Sequence, residues 1–300
     1  MPMIVDPSAP QVTPPDRVTS PDGWLAALVD EQWAGVVLSY NAAAPADGTA
    51  APRAADMRRV QIVRQDPGAP APVPVRSGDT AWAIEGVGTA YDHEAPLGVA
   101  VIYTATTIYA DGSTGPSSSL AVTVPAPEPG DDADLWIKSL DTPAFSSRVM
   151  IVDWPGMSSA GRITTTDVAG SSYRATAYDT HAAPTIQVTV DVTGAARIER
   201  VRQLLVDGVL LAQVRPGYLY ADRYFVVGDW TEKPTGKLGV DDPSMQYTFE
   251  IAPVDRPDTA GQPMRLPAWS WDAVAEQFET WDAVAASYAS WASLSTNGVT

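Results

Sequence analysis

The sequence predicts a mainly β protein: a β-sandwich, then an α+β domain built as an antiparallel sheet with one helix, then a short helical C-terminal segment. Three observations carry this expectation. Over the first 125 residues, short runs of β-branched and aromatic residues alternate with Pro, Gly and Asp turn residues. One segment near residues 195–205 has helical periodicity and is flanked by further strand runs. A ten-residue Trp repeat occupies 268–294.

Residues 1–33 read as a Pro-rich arm, with Pro2, Pro7, Pro10, Pro14, Pro15 and Pro21. Proline fixes φ and removes a donor, so the arm is expected to be extended or irregular. The apolar run at 23–29 is expected to pack on the domain that follows.

The sandwich is predicted over 34–125. Strand runs stand at 36–40, 60–64, 99–108 and 120–124. Asp111-Gly112 is a hairpin turn, since this pair tolerates the positive φ of tight turns. Residues 126–133 are Pro-, Gly- and Asp-rich and read as a linker that lets two domains take different angles.

The α+β domain is predicted over 134–258. Strands are expected at 148–152, 186–192, 209–214 and 223–230, and at 245–251, where apolar and polar residues alternate. Ile198, Val201, Leu204 and Leu205 mark one face of a helix, with Thr193 as its expected N-cap and Asp207-Gly208 as its stop.

The repeat at 268–294 opens each unit with Ser270, Thr280 or Ser290, residues suited to capping a helix. Asp272 and Asp282 stand in the first turn, where the helix dipole favours a carboxylate. Ten residues at ~100° each leave an apolar stripe about 80° out of register on a straight helix. Short helices broken at Ser or Thr are therefore expected. The stripe Trp271, Val274, Phe278, Trp281, Val284, Tyr288, Trp291 and Leu294 is the predicted interface, because Trp and Tyr are favoured interface anchors. A segment this short has little volume in which to bury so much aromatic surface by itself.

Composition narrows function. Of the 300 residues, 45% are hydrophobic, enough for real cores. Asp plus Glu total 36 against 19 Lys plus Arg, a net charge of −17, and no basic run exceeds Arg58-Arg59. Nucleic-acid binding is not expected without clustered cations. There is no Cys, which removes disulfides and thiolate metal sites. The first residues lack the basic and apolar regions of a signal peptide, and no apolar run reaches the ~18 residues a membrane helix needs. Synthesis in the cytoplasm without membrane insertion is expected.

No motif points to catalysis. His93 and His181 have no nearby His or Cys and read as surface or turn residues. There is no Gly-x-Ser-x-Gly elbow, no phosphate loop and no dinucleotide fingerprint, so no cofactor is expected. Asp131, Asp132 and Asp134 lack the spacing of a calcium loop and read as a solvated linker. Asp241-Asp242-Pro243 reads as a turn. The expectation is a protein that is not an enzyme.

Leu97 lies six residues before Tyr103 in a β-rich run, followed by Asp111-Gly112-Ser113 and Pro116-Ser117-Ser118. This resembles the tyrosine-corner strand and last hairpin of fibronectin type III domains. Tyr40 stands where that family usually has Trp, and the usual Pro-Gly-Thr after the Leu is absent. Further on come Leu204-Leu205-Val206-Asp207-Gly208-Val209, then Asp222-Arg223-Tyr224-Phe225-Val226-Val227-Gly228-Asp229, then Phe249-Glu250-Ile251-Ala252-Pro253-Val254-Asp255-Arg256-Pro257. Together with the Trp repeats, their order is similar to the C-terminal half of minor tail proteins of siphophages that infect actinobacteria. The resemblance implies a structural virion component at the tail tip, made in the host cytoplasm and acting in assembly and host attachment. It implies distal tail and hub proteins as partners, with several copies in the tail, and no catalytic residues. A carbohydrate-binding module for host cell-wall glycan and a cell-wall hydrolase are the alternative functions.

Overall fold

The computed structural model describes residues 17–42, 51–78, 81–83, 86–128, 135–218, 220–236, 239, 242–258, 264–288, 291–295 and 297. The chain is mainly β, with several antiparallel sheets and a few short C-terminal helices.

The first module contains β1 (Arg17–Thr19), β2 (Leu25–Asp30), β3 (Gly35–Asn41), β4 (Met57–Gln65), β5 (Val73–Pro74), β6 (Ala81–Trp82), β7 (Val87–Asp92), β8 (Ala100–Tyr109) and β9 (Thr114–Thr123). One sheet runs β1-β2-β3-β7; the other runs β5-β4-β8-β9, with β6 also on β4. Leu25, Val36, Leu38 and Tyr40 from the first sheet share one core with Val60, Ile62, Val101, Tyr103 and Val122 from the second. Alternation explains the sharing: Val101, Tyr103 and Ala105 turn inward along β8, while Ile102 is exposed. The hairpin between β8 and β9 turns at Gly112, whose φ of 81° a side chain would strain.

Strand pairing starts earlier than expected. The arm predicted over 1–33 contributes β1 and β2 to the first sheet, with Leu25 opposite Tyr40. Pro21 sits in the turn between these strands, where its missing N–H removes no ladder bond. The earlier Pro residues lie outside the described residues. β7 was also hidden, since Gly88 and Ala90 interrupt the strand signal of Val87, Thr89 and Tyr91.

The second module contains β10 (Leu135–Ser139), β11 (Ser147–Asp153), β12 (Ile163–Thr166), β13 (Ala175–Tyr178), β14 (Ile186–Thr193), α1 (Ala195–Leu205), β15 (Leu210–Val214), β16 (Arg223–Thr235) and β17 (Ser244–Pro253). Six strands close into a barrel in the order β10-β11-β14-β17-β16-β15. The expected sheet therefore has no free edge. β10, unread in the sequence, pairs with both β11 and β15 and completes the ring. Ile198, Val201, Leu204 and Leu205 of α1 pack with Val188, Val190, Phe225, Tyr247, Phe249 and Ile251 in its core. Gly194, not Thr193, caps α1, with no side-chain cap bond; the Thr193 hydroxyl pairs with Ser244 across the β14–β17 ladder instead. β12 and β13 form a separate exposed hairpin.

The expected hinge at 126–133 lies outside the described residues from 129 onward. On either side of it the two modules are in contact. Trp136 of β10 packs into the core of the first module. Gly98 lies so close to Pro216 that an added Cβ would sit 2.8 Å from its Cδ.

Candidate functional site

The C-terminal unit is built from local rules. α2 (Trp271–Gln277), α3 (Trp281–Ser287) and α4 (Trp291–Ser295) are short helices. The Ser270 hydroxyl accepts from the Ala273 N–H at 3.3 Å, and Thr280 accepts from Ala283 at 3.2 Å. Phe278 and Tyr288 end the first two helices in extended conformation. Each break resets the register that a continuous helix would lose.

The reset divides the predicted interface into two faces. Val274, Val284 and Leu294 are buried, and Phe278, Tyr288 and Trp269 pack against them. The Trp269 indole N–H donates to the Leu294 carbonyl at 2.6 Å, tying the first repeat to the third. Rings pack edge to face at Phe278–Tyr288 and tilted at Trp269–Tyr288. Five of the eight predicted residues thus form an internal core. The other three, Trp271, Trp281 and Trp291, stand 65%, 62% and 63% exposed. They form a column with ring centroids 6.2 and 6.3 Å apart and successive planes turned by 64° and 56°.

Trp271 and Trp291 also line a groove of about 930 Å³ whose walls include Val87 of β7, Pro143, Leu266 and Trp269. Arg265 at its edge donates to the Asp141 carbonyl. The repeat unit therefore sits against both modules, with an apolar trough between.

A second cluster, missed in the sequence, lies where the modules meet. Asp92, His93 and Glu94 follow one another at the end of β7, and all three are buried. Arg64 of β4 donates to both Asp92 oxygens at 3.0 and 2.8 Å, and the Tyr103 hydroxyl donates at 2.9 Å. Burial alone would raise the Asp92 carboxyl, but Arg64 holds it below its ordinary value. Burial would raise Glu94 too; Arg256, at 2.9 Å, holds it down, and Tyr224 donates to it at 2.9 Å. Both Arg256 and Tyr224 come from the second module.

Lys138 of β10 reaches back the other way, donating to the Ala34 and His93 carbonyls at 2.7 and 2.8 Å. Burial pushes its ammonium down to about 7. Gln213 donates to the Glu94 and Ala95 carbonyls. His93 is enclosed rather than at the surface, and burial lowers its imidazole to about 4. His181 is exposed as expected. The only sequence signal for this cluster was three polar residues in a row after an apolar strand.

Within the seam Asp92 is paired with Arg64 and Glu94 with Arg256. No group of three or more His, Asp or Glu that could hold a metal ion exists among the described residues. Asp131, Asp132, Asp134 and Asp241 lie outside them. Among the described residues no helix is long and apolar enough to cross a membrane. No protein-family model matches this chain, and no curated protein sequence matches it.

Proposed function

We propose that this chain is a structural component of a phage tail tip, a minor tail protein acting in assembly and host attachment. In this reading the first module is a fibronectin type III-like sandwich and the second is an α+β tail-protein domain. The observation that carries the reading is the exposed column Trp271, Trp281 and Trp291. Three large rings left in water, two of them on helices with side-chain N-caps, are what a docking surface requires. The groove supports the same role: its walls come from both modules, Val87 of β7 on one side and Pro143 on the other, and Arg265 at its edge donates to the Asp141 carbonyl.

Supporting evidence also comes from the sequence order: a sandwich-like segment, the three tail-like motifs and a terminal Trp repeat. The partners are other tail-tip proteins, the distal tail and hub proteins, with further copies of the chain around the tail axis. The protein would be made in the host cytoplasm and end in the virion tail. The test is gold-labelled antibody on intact particles from the source, viewed by negative stain, alongside mass spectrometry of purified particles. Gold at the tail tip is expected. Particles that carry neither label nor peptide would overturn the reading.

A further inference from the structure

We propose that the Trp column docks a partner segment carrying a file of Arg or Lys side chains about 6–7 Å apart. This deepens the tail-tip reading, and rests on it, by naming the chemistry of the partner.

The first argument is charge. Residues 266–300 contain Asp272, Glu276, Glu279 and Asp282 and no Lys or Arg. All four carboxylates are exposed, and none has an ion-pair partner among the described residues. Asp272 and Asp282 directly follow Trp271 and Trp281. A cation seated on these rings gains from the ring quadrupole, and the uncompensated negative charge of the unit draws cations towards it.

The second argument is what the rest of the chain does with its rings. Arg53 lies over Tyr109, Arg200 over Trp33, Arg215 over Tyr218 and Arg223 over Tyr220. Among the described residues the three most exposed Trp rings carry no such cation.

The third argument is spacing. The rings recur at 6.2 and 6.3 Å. Alternate residues of an extended chain are ~6.6–6.8 Å apart on one side, and residues four apart on a helix are ~6.0 Å apart. Either backbone can place one cation on each ring. The 64° and 56° turns between ring planes disfavour a flat neutral glycan, which would need rings facing one way. The absence of cations on this unit disfavours anionic polymers.

The test uses the full chain. It is titrated with the capped peptide Arg-Ala-Arg-Ala-Arg, with its Lys counterpart and with an N-acetylglucosamine tetramer, following the indole N–H NMR signals of its ten Trp. Saturable shifts of three indoles are expected with the Arg peptide, weaker with Lys, and fading as added salt shortens the Debye length. Exposed cation–ring contacts predict about a two- to five-fold loss of affinity for Trp281→Ala. The Asp272→Asn, Asp282→Asn pair keeps its side-chain shape and should also weaken binding several-fold.

Absence of saturation by either cationic peptide would overturn the proposal. So would saturation by the sugar tetramer instead, or equal peptide binding by the Asn pair. Each outcome is independent of the particle-labelling result, so this proposal and the tail-tip reading can fail separately.

Discussion

Where the two β-modules meet, charged side chains that water would solvate well are enclosed: Arg64, Asp92, Glu94 and Lys138 are all buried. In the C-terminal unit the reverse holds: Trp271, Trp281 and Trp291 stand in solvent, and the unit's exposed carboxylates have no ion-pair partner among the described residues. The contrast teaches what each region is for. A buried charge is tolerated only when every partner is fixed in place, so the seam demands one relative placement of the modules. An exposed ring makes no such demand on its own chain and leaves its face for another molecule.

The sharpest way to break the contrast is to remove one seam charge. Asp92→Ala leaves Arg64 and the Tyr103 hydroxyl buried without their shared acceptor, and should cost about 3–5 kcal/mol in chemical denaturation. A loss below about 1 kcal/mol would mean the pair is solvated in solution.

Acid should loosen the seam in stages. With a folded value at about 4, His93 stays neutral in the native state. The unfolded chain therefore takes up a proton that the folded chain refuses between pH 6.5 and 4. Stability falls as pH drops through that window, by on the order of 2–3 kcal/mol from this group. Lys138, lowered to about 7, acts in the same direction as pH falls from 10.5 towards 7. Asp92 and Glu94, held below their ordinary values, keep their contribution above those values and lose it on further acidification. Thermal melts at pH 7 and pH 4.5 check this: a flat Tm would contradict the enclosed His93.

Smaller changes sharpen the comparison. Tyr103→Phe removes one hydrogen bond to a buried carboxylate and should cost about 1–3 kcal/mol. Thr280→Ala removes a cap and should cost about 1 kcal/mol, read as faster amide exchange within α3 alone. Trp281→Ala should shift the unfolding of the β-modules by no more than about 0.5 kcal/mol, because the ring is largely exposed. A larger shift would make the column a structural element rather than an open face.

Local patterns were legible in the sequence wherever the physics is local. β8, β17 and α1 follow directly from alternation or helical spacing, and Ser270 and Thr280 announced their caps. What stayed hidden depended on distant partners. β7 is a strand because β3 pairs with it, and β10 matters because it joins β11 to β15. Asp92-His93-Glu94 looks like a polar turn until Arg64, Arg256 and Lys138 arrive from 28, 162 and 45 residues away. The Trp stripe was visible as a pattern, but its division into an inner and an outer face was not. That division depends on the extended breaks at Phe278 and Tyr288, which bend a single periodicity into two.

The complete ten-residue units each carry a hydroxyl N-cap, a buried aliphatic and an outward ring. A segment made this way can change length in whole steps. Gaining or losing one block would alter the reach of the column by about one ring spacing, 6.2–6.3 Å, and leave both barrel and sheets untouched. The span to a neighbour is then a heritable dial, adjusted by copying or dropping a short stretch of gene rather than by redesigning a fold.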